Sequence, residues 1–421
     1  MSTCSGRRLH TVVVELGGGL SARPWSRVGL AMFGVGWGSN QFASLLGVYR
    51  DQSHMTQTTV TAIFGTYAVG LIPALLVAGP MSDRLGRRSA LRPVLVVSIV
   101  ASVFLVAGAD HAWLLFVGRF LAGVASGAAF GPGSAWIKEL SAAAPEGTGA
   151  RRAAIWLSAG FGGGPLVAGL IAQWAPLPEV LPYLVHLALM LVITPLAWNT
   201  PETVTVRTGS SRSVRAMAGG MLHSASQSRF LLVVAPAAPW VFALPTITFA
   251  VVTSFVTEHT AGIPIAFTAV ITGLTLLTGV LVQPFATRVE RSRQGSGLPV
   301  GLLVATAGLG LAAVVAVTSQ ALLVVPVAVL LGGGYGIMLV SGLREVERLA
   351  DPGELAGLVA VFYALTYLGF AAPYLFAELA PYLGYPALLT VTATVALGTA
   401  IWTGNQVRAG AAVAGSDLTM T

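Results

Sequence analysis

The stretch GPMSDRLGRR, residues 79–88, is a short charged segment between two long apolar windows. The window before it spans residues 51–83, the window after it spans residues 92–110, and neither contains an internal Asp, Glu, Lys or Arg. A bilayer core of about 30 Å requires roughly 20 apolar residues in a helix. The stretch therefore predicts a tight turn between two membrane-spanning helices.

The composition of the whole chain points to lipid as its main solvent. Of the 421 residues, 9% are charged and 55% are hydrophobic, and the mean hydropathy is +0.79. Soluble globular proteins carry about a quarter charged residues, so a cytosolic enzyme, a nucleic-acid-binding domain and a disordered protein are all excluded. Cys4 is the single cysteine, which excludes a disulfide framework and a thiolate metal site. We therefore expect neither enzymatic activity nor a cofactor.

Apolar windows recur along the chain and predict an all-α membrane protein with twelve transmembrane helices. Their continuous apolarity excludes a β-barrel, which would alternate. One window, 112–137, is interrupted only by Arg119, and the longest, 293–344, divides into two helices near residues 318–320. The windows span residues 27–50, 51–83, 92–110, 112–137, 152–179, 179–202, 229–258, 258–288, 293–344, 354–378 and 378–408.

The second half of the chain repeats the first at a spacing of a little over 200 residues. Arg84 and Arg87 match Arg288 and Arg291 in this way, and GF followed by Pro occurs near both 160 and 369. The pattern predicts two pseudo-symmetric six-helix bundles with a substrate site between them. The predicted parts are a tail at 1–27, a bundle at 28–200, a linker at 201–229, a second bundle at 230–404 and a tail at 405–421.

The basic residues predict the orientation of the chain. If both termini lie in the cytoplasm, 21 of the 23 basic residues fall on that side, with Arg50 outside and Arg119 within the membrane. This partition predicts a multi-pass protein of the plasma (inner) membrane. The pI near 10.0 then reflects contact with anionic lipid and not with nucleic acid.

Residues 79–88 resemble motif A of the major facilitator superfamily, G-x-L-x-D-R-x-G-R-[RK], with Met81 in place of Leu. The resemblance implies that Asp83 faces the start of the eleventh helix near Pro352 and latches one face of the transporter. It also implies that an Arg of the motif pairs with Glu139 at the end of helix four. The predicted latch residues are Gly79, Asp83, Arg84, Gly86, Arg87, Arg88 and Glu139.

Arg119, followed by Gly123 and Gly127, is similar to motif B of the same superfamily, R-x-x-x-G-x-x-x-G. An intramembrane charge is costly, so Arg119 is expected to face a cavity or a partner. The alternative is an Arg that snorkels from a helix end to the membrane surface. Together with Gly131, the two glycines form a stripe of small residues that favours close helix packing.

The stretch GFGGGPLVAG, residues 160–169, resembles motif C, G-x-x-x-G-P-x-x-G-G, with Ala168 in place of a glycine. Its matching residues include Gly160, Gly164, Pro165 and Gly169. Pro165 removes a backbone N–H, so a kink is expected there. Within the superfamily this motif implies a proton-driven exporter, above all a drug/proton antiporter. The alternative is a generic flexible membrane helix.

Several aromatic and amide side chains fall on helices that line the cavity in this superfamily. A roomy apolar pocket with few polar groups suits a hydrophobic or aromatic ligand. For each residue, packing between helices is an equally good interpretation. The candidate cavity residues are Trp37, Asn40, Gln41, Trp240, Tyr335, Tyr363 and Tyr367.

No Asp or Glu lies in the middle of a predicted helix, although proton relays normally use buried carboxylates or histidines. The remaining candidates for a proton carrier are Asp51, His186 and Glu378. The sequence thus predicts a monomeric transporter that exports a hydrophobic or aromatic small molecule by proton antiport with alternating access. The alternatives are an importer or facilitator of a polar metabolite and a uniporter that is not coupled to protons.

Overall fold

The computed structural model describes residues 23–109, 111–145, 147–204, 225–292, 294–350 and 355–418. Within these residues the chain is helical and contains no strand. Eleven helices are long and apolar enough to cross a membrane. A further crossing, the first, consists of the helix Pro24–Asn40, the 3-10 turn Gln41–Leu45 and the helix Leu46–Asp51. The predicted fold class, an all-α membrane protein with twelve spans, is confirmed.

The second to twelfth spans follow in chain order, and most of the predicted linker, at 205–224, lies outside the described residues. A 3-10 turn, Leu368–Ala371, interrupts the eleventh span. The last helix continues to Leu418, beyond the predicted boundary at residue 404. The spans are Gln57–Leu85, Arg87–Ala107, Ala112–Glu139, Thr148–Trp174, Leu181–Trp198, Phe230–His259, Pro264–Ser292, Gly297–Thr318, Ala321–Leu349, Gly357–Leu383 and Tyr385–Ala409.

Glycines set the closest helix crossing in the first half of the chain. Gly123 and Gly127 of the fourth span lie against the backbone of the second span. A Cβ atom at these positions would overlap the carbonyl oxygens of Tyr67 and Leu71, respectively. Because glycine has no side chain, the two backbones come into direct contact, as in other small-xxx-small crossings.

The second half has a glycine crossing of the same kind, between the tenth and eighth spans of the chain. Gly332 and Gly336 lie against the backbone of the eighth span at Thr275 and Gly279. These glycines come 209 positions after Gly123 and Gly127 (123 to 332 and 127 to 336). The packing therefore repeats as the sequence does.

A second crossing is repeated in the same way. A Cβ atom on Gly160 of the fifth span would overlap the carbonyl oxygen of Phe33 in the first span. A Cβ atom on Gly369 of the eleventh span would overlap the carbonyl oxygen of Pro239 in the seventh. In each half the fifth span thus packs against the first span of that half.

The two halves meet at one face of the membrane, which we call the far face and define by Gln57, Gln173 and the loop before Pro264. There the Gln57 amide donates to the carbonyl of Ala250 at 3.3 Å. The Gln173 side chain accepts from the backbone N–H of Ile265 at 3.0 Å and donates to the carbonyl of Gly262 at 3.3 Å. The far face is therefore closed by hydrogen bonds between the halves.

Toward the opposite face the halves separate. Gly169 of the fifth span contacts Ala269 of the eighth, so a Cβ atom there would overlap that side chain. Gly162 lies two turns away on the same side of its helix, and Gly273 lies one turn from Ala269, yet each faces open space within 4 Å. Because both glycines continue the contacting faces, the gap between the spans widens away from the far face.

We call this opposite face the basic face, defined by Arg87, Arg229 and Arg348 at the helix ends. At the second and eleventh spans the pattern is the same. A Cβ atom on Gly65, near the far face, would lie 3.5 Å from the carbonyl oxygen of Phe370, whereas no atom lies within 4 Å of the Cβ position of Gly79, near the basic face. The fold is thus a pair of bundles joined at one face and open at the other.

Gly131 does not take part in the glycine stripe predicted for the fourth span, because no atom lies within 4 Å of its Cβ position. This difference gives a matched test on one helix. Gly123→Ala should lower the melting temperature of the purified protein, because overpacking against the Tyr67 carbonyl costs about 1–3 kcal/mol. Gly131→Ala should leave it unchanged or raise it, because Ala favours the helix by up to about 1 kcal/mol. Equal melting temperatures for both variants would contradict the proposed crossing.

Candidate functional site

Arg119 is completely buried in the interior of the first half. Its Nη1 donates to the carbonyl oxygen of Ser39 at 2.7 Å, and its Nη2 donates to the carbonyl oxygen of Phe64 at 3.3 Å. Ser39 lies where the first span changes from α-helix to the 3-10 turn that begins at Gln41. Helix ends leave carbonyl oxygens without intrahelical partners, so the break in the first span supplies an acceptor for Arg119.

Three aromatic rings surround the Arg119 guanidinium. Its Cζ lies 4.6 Å from the ring centre of Tyr67, 5.1 Å from that of Phe42 and 5.5 Å from that of Phe64. None of the ion pairs in the described part of the chain includes Arg119. Cation–π contacts and backbone dipoles therefore replace a counter-ion. A side chain with no exposed surface does not snorkel, so this geometry does not fit the snorkelling interpretation.

Six aromatic rings from both halves join next to Arg119 and form what we call the aromatic belt. Phe64 stacks on Phe370 at 5.1 Å between ring centres, and Tyr67 lies 6.3 Å from Tyr367 in an edge-to-face arrangement. These pairs connect the second span to the eleventh. The members of the belt are Phe64, Tyr67, Phe242, Phe249, Tyr367 and Phe370.

The first span presents buried polar groups without partners. The indole N–H of Trp37, both amide atoms of Gln41 and the hydroxyl of Ser44 are buried and make no hydrogen bond. Trp37, Gln41 and Ser44 lie four and three positions apart, so they follow one side of the span. A buried polar group that lacks a partner costs about 1–3 kcal/mol. Such a cluster is expected where a ligand supplies the missing hydrogen bonds.

The other predicted cavity residues divide between the belt and ordinary packing. Tyr367 is a belt member, and Tyr335 lies 5.8 Å from the ring of Phe242. Tyr363 contacts Phe362. Asn40 is nearly buried at the end of its helix. Trp240 packs against the apolar core of the second half.

Four belt residues were not predicted from the sequence as site residues: Phe64, Tyr67, Phe242 and Phe370. Phe64 and Tyr67 are three positions apart on the second span, so their rings share one side of that helix. This spacing of two aromatic residues in an apolar helix was the available signal. It did not indicate which other helix the rings would meet.

Motif C lies at two helix contacts. Gly160 and Gly164 pack against the first span at the carbonyls of Phe33 and Trp37, whereas Gly169 meets Ala269 of the other half. The fifth helix runs without interruption from Thr148 to Trp174 and contains Pro165 in its interior. In the second half the break occurs at Leu368–Ala371 instead.

Arg87 forms the centre of the motif A cluster on the basic face. Its Nη2 lies 2.7 Å from Glu139 Oε1, and its Nη1 lies 2.5 Å from Asp83 Oδ1. The hydroxyl of Thr203 also donates to Glu139. Asp83 keeps a 60% exposed side chain, so it is accessible to a further element. Its predicted partner near residue 352 lies outside the described residues.

Glu202 holds the turn within motif A. Its carboxylate accepts the backbone N–H groups of Arg87 at 3.0 Å and of Arg88 at 2.9 Å, the first residues of the third span. Gly86 has a φ of +95°, and a Cβ atom at this position would overlap the Glu202 carboxylate. Arg84 lies in the last turn of the second helix, and Gly79 faces open space.

The environment of Glu202 acts on its ionisation in two opposing ways. Partial burial disfavours the charged form, but backbone hydrogen bonds from Arg88, Val204, Arg87 and Thr203 lower the pKa of Glu202 below its ordinary value. A negative charge at a helix N-terminus is also favoured by the helix dipole. In the sequence, the only signal for this cap was the short motif Pro-Glu-Thr after the sixth span.

The second half carries a corresponding charge cluster, which was not predicted from the sequence. Glu345 is buried and pairs with Arg229 and, at 2.9 Å, with Arg348. Glu290 is also buried, pairs with Arg348 at 3.1 Å and accepts the N–H of Gly297, the first residue of the ninth span. Glu345 comes 206 positions after Glu139 (139 to 345), so the repeat spacing would have found it.

The three candidate proton carriers have different surroundings. Asp51 has a 50% exposed side chain and pairs with the neighbouring Arg50 at 2.6 Å, and Glu378 is exposed. His186 is fully buried: its Nδ1 lies 2.6 Å from Ser102 Oγ and its Nε2 lies 2.9 Å from the Gly34 carbonyl oxygen. Of the three, His186 alone lies in the interior. Within the described residues, no group of His, Cys, Asp and Glu has the arrangement of a metal site.

The amino-acid sequence matches the family model described as Major Facilitator Superfamily over residues 28–373. Solved structures with a similar fold include the nucleoside transporter NupG, with a TM-score of 0.71, 11% identity, and coverage of 91% of this chain and 97% of that chain. A POT family transporter in complex with 5-aminolevulinic acid gives a TM-score of 0.72 and 13% identity, with coverage of 90% and 95%. At these identities the likeness shows the fold alone. None of the curated proteins with which the sequence was compared matches it.

The Glu202 cap predicts a pH-dependent stability. Because the folded state lowers the pKa of Glu202, its stabilising effect is present above the unfolded value of about 4.3 and is lost as the pH falls through the folded value. Glu202→Gln should therefore lower the melting temperature at pH 7 by about 1–3 °C, and this difference from wild type should shrink below about pH 4. Glu347→Gln, at an exposed position on the same face, is the control. A deficit for Glu202→Gln that persists unchanged at low pH would contradict the cap.

Proposed function

Because the chain belongs to the major facilitator superfamily, a family of membrane transporters, we propose that it exports a hydrophobic or aromatic small molecule by alternating access. The observation that carries this proposal is the aromatic belt, which both halves build next to the buried Arg119. The chain is a transporter and not an enzyme. In the proposal it acts as a monomer and uses protons as the coupling ion.

The direction of transport rests on orientation and on motif C. We place the basic face in the cytoplasm, following the excess of Arg on that side. The gap between Gly162 and Gly273 then opens to the cytoplasm, and the hydrogen bonds of Gln57 and Gln173 close the outside. A substrate would enter from the cytoplasm and leave when the far face opens. Motif C supports export because, in this superfamily, it is characteristic of exporters.

The belt explains why an aromatic substrate is favoured. Aromatic pairs gain about 0.5–1.5 kcal/mol beyond the burial of their surface. A substrate ring inserted between Phe64 and Phe370 would replace their mutual stacking by stacking on both sides. The contact between the halves at Phe64 and Phe370 would thus be exchanged for contacts with the substrate, as an opening driven by binding requires.

The charge clusters on the basic face support movement of each half as a unit. Arg87 ties the second and third spans to Glu139 at the end of the fourth. Arg348 ties the tenth span to Glu290 at the end of the eighth. These contacts remain within one half, so they resist deformation of a bundle without opposing its rotation against the other.

Proton coupling is assigned in this proposal to His186. In the neutral ring, Nε2–H donates to the Gly34 carbonyl and Nδ1 accepts from the Ser102 hydroxyl. In the protonated ring, Nδ1–H would donate to Ser102, whose hydroxyl can turn to the Ser98 carbonyl at 3.2 Å. Both protonation states of the ring therefore satisfy every hydrogen bond in this geometry.

An uncoupled facilitator is the second candidate, and a specific observation favours it. The carboxylates of Asp51 and Glu378 are exposed, and buried carboxylates are the usual carriers in proton-driven transport. A polar substrate is also compatible with the unpartnered groups of the first span. The similar solved structures are, by their descriptions, a nucleoside transporter and a transporter bound to 5-aminolevulinic acid.

Substitution of Arg119 tests its role in the transport cycle. Arg119→Ala should reduce export of a neutral fluorescent coumarin dye into everted vesicles by at least about tenfold, because two buried carbonyls and three rings lose their charged partner. Arg119→Lys should restore only part of the activity, since an ammonium does not reproduce the planar guanidinium. Arg50→Ala, on the exposed far-face pair, is the control and should stay within about twofold of wild type. Equal export by both alanine variants would exclude a role for Arg119.

The coupling proposal is tested with an imposed pH gradient, interior acidic, across the same everted vesicles. Wild type should accumulate the dye against its gradient and lose this accumulation when a protonophore is added. His186→Asn should lose uphill accumulation but keep downhill equilibration, because Asn retains polarity without a titratable ring. Asp51→Asn and Glu378→Gln should keep uphill accumulation. Wild-type accumulation that is indifferent to the protonophore would support the uncoupled facilitator instead.

A further inference from the structure

The amide of Gln41 is the least satisfied polar group in the candidate site. The residue has no exposed surface, and neither its Oε1 nor its Nε2 makes a hydrogen bond. It lies on the 3-10 turn that interrupts the first span, four positions after the partly exposed Trp37. An amide carries donors and an acceptor side by side. It is therefore complementary to a second amide edge, which presents an N–H next to a C=O.

The neighbours of Gln41 extend the same recognition. Trp37, one turn toward the basic face, has an unpartnered indole N–H, and Ser44, one turn toward the far face, has an unpartnered hydroxyl. Gly164 lets the fifth span pack directly on the backbone of Trp37, and Ser44 borders Gly169 at the contact with the eighth span. The polar groups thus form one line that leads from the open side to the closed junction of the halves.

The charge of the site limits the substrate further. Arg119 donates to the Ser39 carbonyl, two residues before Gln41, and no ion pair in the described chain neutralises it. In a medium of low polarity, like charges repel strongly over several ångströms. A cationic ligand is therefore disfavoured next to this turn, although its size and aromaticity fit the belt.

We infer that the substrate is an uncharged aromatic molecule with a cyclic amide edge, which Gln41 recognises through paired hydrogen bonds while the rings of the belt stack on its frame. The inference rests on the proposed function, since it names the substrate class of the same site. The pairing resembles the way in which Gln reads the donor–acceptor edge of adenine.

Three probes of one size separate the elements of this recognition. Carbostyril is a neutral bicyclic aromatic lactam, N-methylcarbostyril lacks the N–H donor, and N-methylquinolinium is a cation with a similar frame. Equilibrium binding to the purified full-length protein should favour carbostyril over N-methylcarbostyril by about tenfold or more, because one analogue leaves a buried acceptor unpaired. N-methylquinolinium should bind most weakly.

The variant Gln41→Leu should reduce the preference for carbostyril over its N-methyl analogue to about twofold or less. Gln320→Leu, at an exposed position outside the site, should keep the wild-type preference. In the absence of ligand, Gln41→Leu should melt at the same temperature as wild type or higher, because an unsatisfied buried amide is removed. A Gln41 with a purely structural role would instead give a lower melting temperature and an unchanged preference.

The outcomes distinguish this inference from the proposed function. Export of the coumarin dye without any preference for carbostyril, or with tight binding of N-methylquinolinium, would overturn the inference and leave the exporter intact. A clear lactam preference that Gln41→Leu abolishes would support the inference. If that preference is found and no aromatic compound is exported, recognition by Gln41 stands and the proposed direction of transport falls.

Discussion

The positive charge of Arg119 is completely buried inside the membrane-spanning part of the protein. The arrangement of the candidate site depends on the contacts that stabilise this charge. Arg119 has backbone carbonyls and aromatic rings as partners where other buried charges have a counter-ion. The carbonyl of Ser39 is available because the first span leaves α-helical geometry at Gln41. The same rings that cover the guanidinium reach across to Phe370. A local break in one helix, a buried charge and the junction of the two halves are thus parts of one structure.

The glycine crossings explain how this site is kept in register. Gly123 fixes the fourth span on the second, which places Arg119 beside Phe64 and Tyr67. Gly160 fixes the fifth span on the first in the same half. Because these contacts involve backbone atoms, they leave little freedom for adjustment within a bundle. The contacts between the bundles are made instead by aromatic rings and two Gln side chains.

Much of the fold follows from the sequence, because charged residues are excluded from lipid. The length of each charge-free stretch therefore indicates the length of a membrane-spanning helix. The place of Glu139 beside Arg87 also follows from a family resemblance. The site is less predictable, since helical periodicity states which residues share a side but not which helix they meet. Phe242 is a member of the belt, whereas Trp240, a predicted cavity residue, packs against the core of the second half. Gly131 faces open space although it continues the stripe of Gly123. The Gln41 amide lacks hydrogen-bond partners because of how all the neighbouring spans are placed, so no local sequence pattern could predict it.

In the proposed cycle the halves are closed at the far face and open at the basic face, and they exchange these states when the site between them is filled. Distances between spin labels test it most directly, with Cys4→Ser as background and label pairs at Gln52 and Glu258 on the far face and at Leu85 and Phe285 on the basic face. These side chains are exposed and each pair joins the two halves. We expect a short far-face distance and a long basic-face distance without ligand, and opposite changes of the two when carbostyril is added. Distances that both stay fixed, or that lengthen and shorten together, would contradict alternating access around this site.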